Sequence, residues 1–328
     1  MMERQTISIA IPVYNGAEYL GEALASIAAQ TDQDFELVVS DNCSTDDTPR
    51  ILADFAASHP NVVVSRSDRF ILQGENVNRV MSLCTGQWVK LLCHDDLLDP
   101  ACIATMRETL GQIDSASVGV VGHDEQWLFA NGHRTTTPRY EPFITTWNGR
   151  EYLQSHLNGE GVPVIPSLTT AMVNRAAFDA SAGFDPRYVH FDHFYWLRLM
   201  LKWDYVFVNK ILTVNRIHGA QVAVAARNTL SSVFRDAGFW PEFLAEAGSL
   251  RLSRRAAWSL RLKPIAHGAT YIAIELIKGR PAAALSMMRQ LPVHWWPLLP
   301  PLVLRAFRRE RSRTRELSRH VPLPLIYP

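Results

Sequence analysis

Residues 7–42 read ISIAIPVYNGAEYLGEALASIAAQTDQDFELVVSDN. The run Ile7–Val13 is apolar, short and bounded by polar residues, which marks a buried strand. Leu20, Ala23, Leu24, Ile27 and Ala28 then recur at helical spacing, and Asn15, three positions before Glu18, is placed to cap that helix. A second apolar run, Phe35–Val39, stops at Ser40-Asp41-Asn42. Strand, helix and strand in this order are the sign of a βαβ unit and of a parallel sheet.

The pattern continues outward. Pro49 fits the first turn of a helix whose apolar positions include Ile51, Leu52 and Phe55. Val62–Val64 reads as a third strand, a helix follows around Asn76–Cys84, and a fourth strand, Trp88–Cys93, stops at His94-Asp95-Asp96. Beyond Gly122 the alternation loosens. Asn131-Gly132 signals a hairpin after Trp127–Phe129, and Leu168–Val173 reads as a strand. Asp192–Trp203 reads as a helix, and Tyr205–Val208 and Leu212–Ile217 as strands. After about residue 225 the reading is helical and basic. The expectation is an α/β fold: a mostly parallel central sheet flanked by helices, with a helical C-terminal extension.

Composition agrees. The chain has 328 residues, 47% apolar, 20% charged and 10% aromatic, which excludes disorder, a collagen-like repeat and a disulfide scaffold. Four cysteines (Cys43, Cys84, Cys93, Cys102) without C-x-x-C spacing argue against a zinc ribbon and suit a reducing cytosol. The first residues lack a basic start and a long apolar run, so no signal peptide is expected. The net charge of +1 hides an asymmetry: Leu250–Pro328 carries 15 basic against 3 acidic residues, and residues 1–249 carry 18 against 29. A basic tail on an acidic body points to an anionic partner.

Ligands of open α/β sheets gather at the carboxyl ends of strands. Tyr14-Asn15, Asp41-Asn42 and Asp95-Asp96 all fall at such ends. No G-x-G-x-x-G and no G-x-x-x-x-G-K-[ST] is present, so phosphates would be met by carboxylates holding a hard divalent cation. Asp95-Asp96 is the best candidate; the plainer reading is that Asp96 and Asp99 cap a helix beginning near Pro100.

The segment SIAIPVYNGAEYLGEALASIAAQTDQDFELVVSDNCSTDDT resembles the opening of family-two inverting glycosyltransferases of the GT-A fold. The likeness runs on through ENVNRVMSLCTGQWVKLLCHDDLLDP, GFDPRYVHFDHFYWLRL and NRIHGAQVA, in the family's order, over about residues 5–225. It implies a GT-A, Rossmann-like catalytic domain over residues 1–225, with a donor half at about 1–122 and an acceptor half at about 123–225. Residues 226–328 would form the basic, mainly helical extension.

Carried over by position, Pro12, Val13, Tyr14 and Asn15 would border the nucleoside, and Asp41 would hydrogen-bond the base. Asp41 could equally be an Asx-turn residue. Asp95 and Asp96 match the acidic motif near the donor diphosphate and its Mn²⁺ or Mg²⁺ ion, with Asp95 favoured as the ligand. Cys93 stands where the family often has its first Asp. Asp192 matches the catalytic base, Phe191 replacing the Glu of the familiar Glu-Asp pair; it could also be the N-cap of its helix. His218 matches a histidine that meets metal or diphosphate, and Arg216 would help neutralise phosphates. Arg79, with Asn78, would assist donor binding from the helix before the acidic motif, unless it lies on a merely exposed face.

The implied reaction moves one sugar from a nucleotide-sugar, a UDP-sugar favoured, to a hydroxyl of a glycan or polyprenol-linked acceptor. It proceeds with inversion, by metal-assisted single displacement, in the manner of polysaccharide biosynthesis. Two other readings compete. One is a catalytically silent GT-A module that binds nucleotide or assembles partners; the other is a nucleotidyltransferase, disfavoured because IPVYNGAEYL lacks a basic phosphate loop. In the tail, Trp295-Trp296 precedes Arg305, Arg308, Arg309, Arg311, Arg313 and Arg315. This suits an anionic membrane interface on the cytoplasmic face and a peripheral, cytoplasmic enzyme. Packing of the tail on the body or on a second copy, as a homo-oligomer, is the alternative. No nucleic-acid motif accompanies the arginines.

Overall fold

The computed structural model describes residues 5–136, 143–218, 236, 238–248, 250–277, 279–290, 300 and 303–304. Its contacts divide the chain into two compact units: residues 1–221 with 247–252, and residues 222–246 with 253–328.

The first unit is built on β1 (Ile7–Val13), every residue of which is buried. A strand so apolar on both faces requires cover from both sides and a place at the middle of a sheet. β1 pairs in parallel with β2 (Glu36–Asp41) and with β4 (Trp88–Leu91), and β2 pairs in parallel with β3 (Val62–Arg66). Registers Val13↔Asp41 and Asp41↔Arg66 bring three strand ends to one height. The connecting helices are α1 (Leu20–Ala28), α2 (Thr48–Ser58) and α3 (Gln73–Leu83), with Pro49 in the first turn of α2. α1 turns Leu20, Ala23, Leu24 and Ile27 onto the sheet, where they join a core that includes Ile9, Ile11, Val39 and Trp88. Truncating one such residue, as in Leu24→Ala, costs about 2–5 kcal/mol in a packed core.

The later strands follow another rule. After the short β5 (Leu97–Leu98) and α4 (Cys102–Leu110) come β6 (Val118–Phe129), β7 (Arg134–Thr136), β8 (Ile144–Trp147) and α5 (Gly149–Asn158). Then follow β9 (Ala171–Asn174), α6 (Arg175–Asp179), α7 (Phe191–Leu199) and β10 (Asp204–Ile217). The sheet order is β3-β2-β1-β4-β9-β6-β10-β5, with β7 on β6 and β8 on β10. β9 is antiparallel to both β4 and β6, and so joins the two halves; β6 and β10 run parallel.

Three local expectations need correction. Asn15 does not cap α1: the helix begins at Leu20 behind Tyr19, and Asn15 sits in a loop with φ +48°. The segments read as two strands around Asn209-Lys210 are one strand, β10, whose register shifts between Val208 and Ile211 and between Ile211 and Thr213 let polar residues pass through it. The helix expected over Asp192–Trp203 ends at Leu199, and Asp192 lies inside its first turn, not at its N-cap, which is His190.

In the second unit, α8 (Phe239–Glu246) stacks Phe239 on Phe243 at 5.3 Å. α9 (Arg254–Ile277) and α10 (Pro281–Gln290) are joined at Gly279, whose φ of +69° ends α9 in the left-handed manner that glycine favours. Among the described residues no helix is long and apolar enough to cross a membrane. The tryptophan pair and the arginine series from Arg305 to Arg315 lie outside the described residues.

Candidate active site

The three polar clusters expected at strand ends converge. At the end of β1, Pro12 and Val13 are buried in the sheet, and Tyr14 is the first residue whose side chain emerges. The Val13 carbonyl accepts the Asn42 N–H at 2.8 Å, tying the ends of β1 and β2 together. Asn15 is exposed; its Oδ1 accepts the Thr45 N–H at 2.8 Å, and its own N–H donates to Ser44 Oγ at 2.9 Å. Gly16 then passes so close to the acidic loop that a Cβ there would lie 2.5 Å from the His94 ring.

Asp41 is 1% exposed. Its Oδ1 accepts the Ser44 N–H at 3.0 Å, three residues on, and its Oδ2 lies 3.1 Å from Arg66 Nη1. Phe70, in the loop after β3, is exposed and meets the exposed Tyr14 edge-on, ring centroids 4.8 Å apart. Arg66 and Phe70 carried no signal in the sequence. An isolated Arg or Phe in a polar loop looks ordinary until β3 is laid beside β2.

Arg79, on α3, reaches the ends of β2 and β3. Its guanidinium donates to Ser40 Oγ at 2.5 Å, Ser65 O at 3.1 Å, Ser65 Oγ at 2.6 Å and Arg66 O at 3.1 Å. Those four bonds lace β2 to β3. Asn78 likewise is engaged by the backbone of Phe184.

The acidic loop after β4 holds Asp95 and Asp96, both buried. His218 Nε2 lies 3.0 Å from Asp95 Oδ2, so the end of β10 reaches the end of β4. Burial would raise Asp95, but the His218 hydrogen bond and the His94 charge outweigh it and hold the carboxyl below its usual range. Asp96 goes the other way: burial and the charge of Asp95 push it well above. Its Oδ1 accepts the Arg216 N–H at 2.9 Å, and its Oδ2 accepts the Thr169 hydroxyl. Neither Asp96 nor Asp99 caps α4, whose N-cap is Ala101 without a side-chain cap bond; Asp99 Oδ1 instead accepts the Ala101 N–H at 2.9 Å in the turn before the helix. Arg216 turns its guanidinium to Glu22 and over the Tyr19 ring, 5.2 Å from the centroid.

A cation fits this corner. Ligand atoms of Cys93, Asp95 and Asp96 all lie within 4.8 Å of one another. Two carboxylates and a neighbouring imidazole suit a divalent ion such as Mn²⁺.

Asp192 is presented by the first turn of α7, whose other residues Phe191, Phe194, Tyr195 and Trp196 are buried and anchor the helix. Burial raises its pKa, opposed by the N–H groups of His193 and Leu168 and by the charge of His190. A carboxylate so placed can act as a base at neutral pH. Thr169, beside Leu168, was read in the sequence only as part of a strand; no periodicity could mark its bond to Asp96.

Residues 8–181 match the family model described as Glycosyl transferase family 2. The chain is 27% identical over 243 residues to an uncharacterized glycosyltransferase of Rickettsia prowazekii, covering 73% of this chain and 71% of that protein. It shares the fold of residues 1–349 of S. aureus TarS, solved in complex with UDP-GlcNAc: TM-score 0.62, 16% identity, 95% of this chain and 92% of that one. It also shares the fold of the mannosyltransferase PcManGT from Pyrobaculum calidifontis, solved in complex with GDP-Man and Mn²⁺, with TM-score 0.57, 16% identity, and 93% and 86% coverage.

Proposed function

The chain belongs to glycosyl transferase family 2 and is a glycosyltransferase, and on that premise we propose that it transfers one sugar with inversion, from a nucleotide-sugar to a hydroxyl of a glycan or polyprenol-linked acceptor. The observation that carries this reading is the meeting of Asp95, Asp96 and His218 at the strand ends where Tyr14 emerges and β2 ends at the buried Asp41. UDP-sugars are the favoured donors. TarS residues 1–349 with UDP-GlcNAc and PcManGT with GDP-Man support a nucleotide-sugar.

In this reading Tyr14 and Asn15 border the nucleoside beside the backbone of Pro12 and Val13, and Asp41, braced by Arg66, addresses the base. Asp95, Asp96 and His218 are the residues that would hold Mn²⁺ or Mg²⁺. A bound divalent cation would offset the charge that builds on the leaving diphosphate. Arg216 adds positive charge nearby. Asp192 takes the acceptor proton as the hydroxyl attacks the anomeric carbon from the face opposite the diphosphate. A single base without a protein nucleophile suits inversion. The catalytic domain is residues 1–225, and the basic extension places the enzyme on the cytoplasmic leaflet, where polyprenol-linked acceptors are presented.

Calorimetric titration with UDP, dTDP, GDP and CMP, each with and without Mn²⁺, tests the reading in wild type and Asp95→Ala. One nucleotide binding only with metal, and lost in the variant, is the expected result. Binding indifferent to metal and to Asp95 overturns it in favour of a silent binding module.

A further inference from the structure

Lys90 lies on β4 with 0% of its surface exposed, in a strand that is otherwise Trp, Val and Leu. A buried ammonium is costly unless its protons are bound, so its partners matter. Its Nζ donates to the carbonyls of Leu91 at 3.0 Å and Ala171 at 3.5 Å, and in its shortest contact to that of Thr169. Three N–H donors meet three carbonyl oxygens. Two of the three belong to the segment leading into β9, 79 and 81 residues away in the chain.

That segment reaches the acidic loop of the site. The Thr169 hydroxyl donates to Asp96 and accepts the Cys93 N–H at 3.1 Å. We propose that Lys90 is a positioning residue: by gripping the Thr169 and Ala171 carbonyls it fixes the segment around Thr169, and through it the seat of Asp96. An apolar side chain at 90 would fill the same space but leave the Thr169 and Ala171 carbonyls without this donor. The segment would then settle elsewhere and take the Asp96 hydroxyl donor with it.

This inference rests on the reading of Asp95-Asp96 as the cation site. The test is the affinity for Mn²⁺ alone, measured by electron paramagnetic resonance of the free ion, on the intact chain as wild type, D95A, K90M, T169V and T169S. Binding is expected in wild type and absent in D95A. K90M and T169V are expected to weaken it about tenfold, the loss typical of removing groups behind metal ligands. T169S, which keeps the hydroxyl, should bind like wild type, a rescue that a merely space-filling role for Thr169 does not predict. If K90M does not fold, the T169V and T169S pair decides. Wild-type affinity in both K90M and T169V, or no rescue by T169S, overturns the inference while leaving the cation site standing. Absence of binding in wild type, or full binding in D95A, overturns the site reading and the inference with it.

Discussion

Strands β1–β4 and strands β6–β10 belong to one sheet but reach the site by different routes. The first four are parallel and joined by short helical crossovers, with β1, β2 and β4 buried and β3 at the more exposed edge, so their polar ends arrive side by side by topology alone. The later strands mix directions, carry bulges, and deliver single residues from distant points: Thr169 before β9, Asp192 in α7, Arg216 and His218 at the end of β10. The first arrangement suits a rigid cradle for a nucleotide. The second suits groups that must be set individually against it. In the proposed reading the difference is a division of labour: the nucleoside is bound by the early strands, while the later segments brace the acidic corner and supply Asp192.

Asp192→Asn strikes this division hardest. Loss of the base should lower kcat by about 10²- to 10⁴-fold while nucleotide affinity holds. Steady-state kinetics with parallel calorimetry reads both, and a variant that loses binding in place of kcat breaks the comparison. The same residue governs pH. Because burial raises Asp192, its proton leaves above the usual carboxylate range, so kcat should climb with pH through a midpoint displaced upward, and D192N should be flat. For stability the sign is set by the same shift. The folded chain holds this proton more tightly than the unfolded one, so ionisation of Asp192 subtracts stability as pH rises through that window, and D192N removes this component. Thermal melts across pH check it.

His218→Ala tests the bridge between the halves. Asp95 loses its 3.0 Å partner, and Mn²⁺ affinity should fall on the order of tenfold. Asp41→Asn tests the early strands alone: nucleotide affinity should drop by roughly tenfold, about 1.4 kcal/mol, with kcat at saturation little changed. The smallest effect is expected from Phe70→Ala. Loss of the aromatic contact with Tyr14 should weaken nucleotide binding by about 0.5–1.5 kcal/mol, independent of salt, in contrast to changes at Arg66.

The same contrast explains what was legible in the sequence. Ile7–Val13 was readable to the residue because a buried parallel strand is an unbroken apolar run between polar ends. Asp41, Asp95 and Asp96 followed because topology places strand ends together. β10 was read as two strands because Asn209-Lys210 interrupts its pattern, and bulges are invisible in composition. Asn15 looked like a cap because its spacing to Glu18 was right, yet its amide is engaged by Thr45 across the loop. The bonds by which Arg79 laces β2 to β3 had no local signal, since their partners lie 13 to 39 residues away. Thr169 and Lys90 were missed for a single reason: their partners lie over seventy residues away, beyond the reach of any local period.

That separation also sets an order in time. Chains emerge from the ribosome N-terminus first. Asp95 and Asp96 are therefore made long before the groups that hold them: Thr169, Arg216 and His218 follow 73 to 123 residues later. A nascent chain that has completed β4 already displays two adjacent carboxylates with none of these partners. The site becomes a site only when the last strand of the sheet arrives, so an unfinished molecule cannot hold the arrangement the reaction requires.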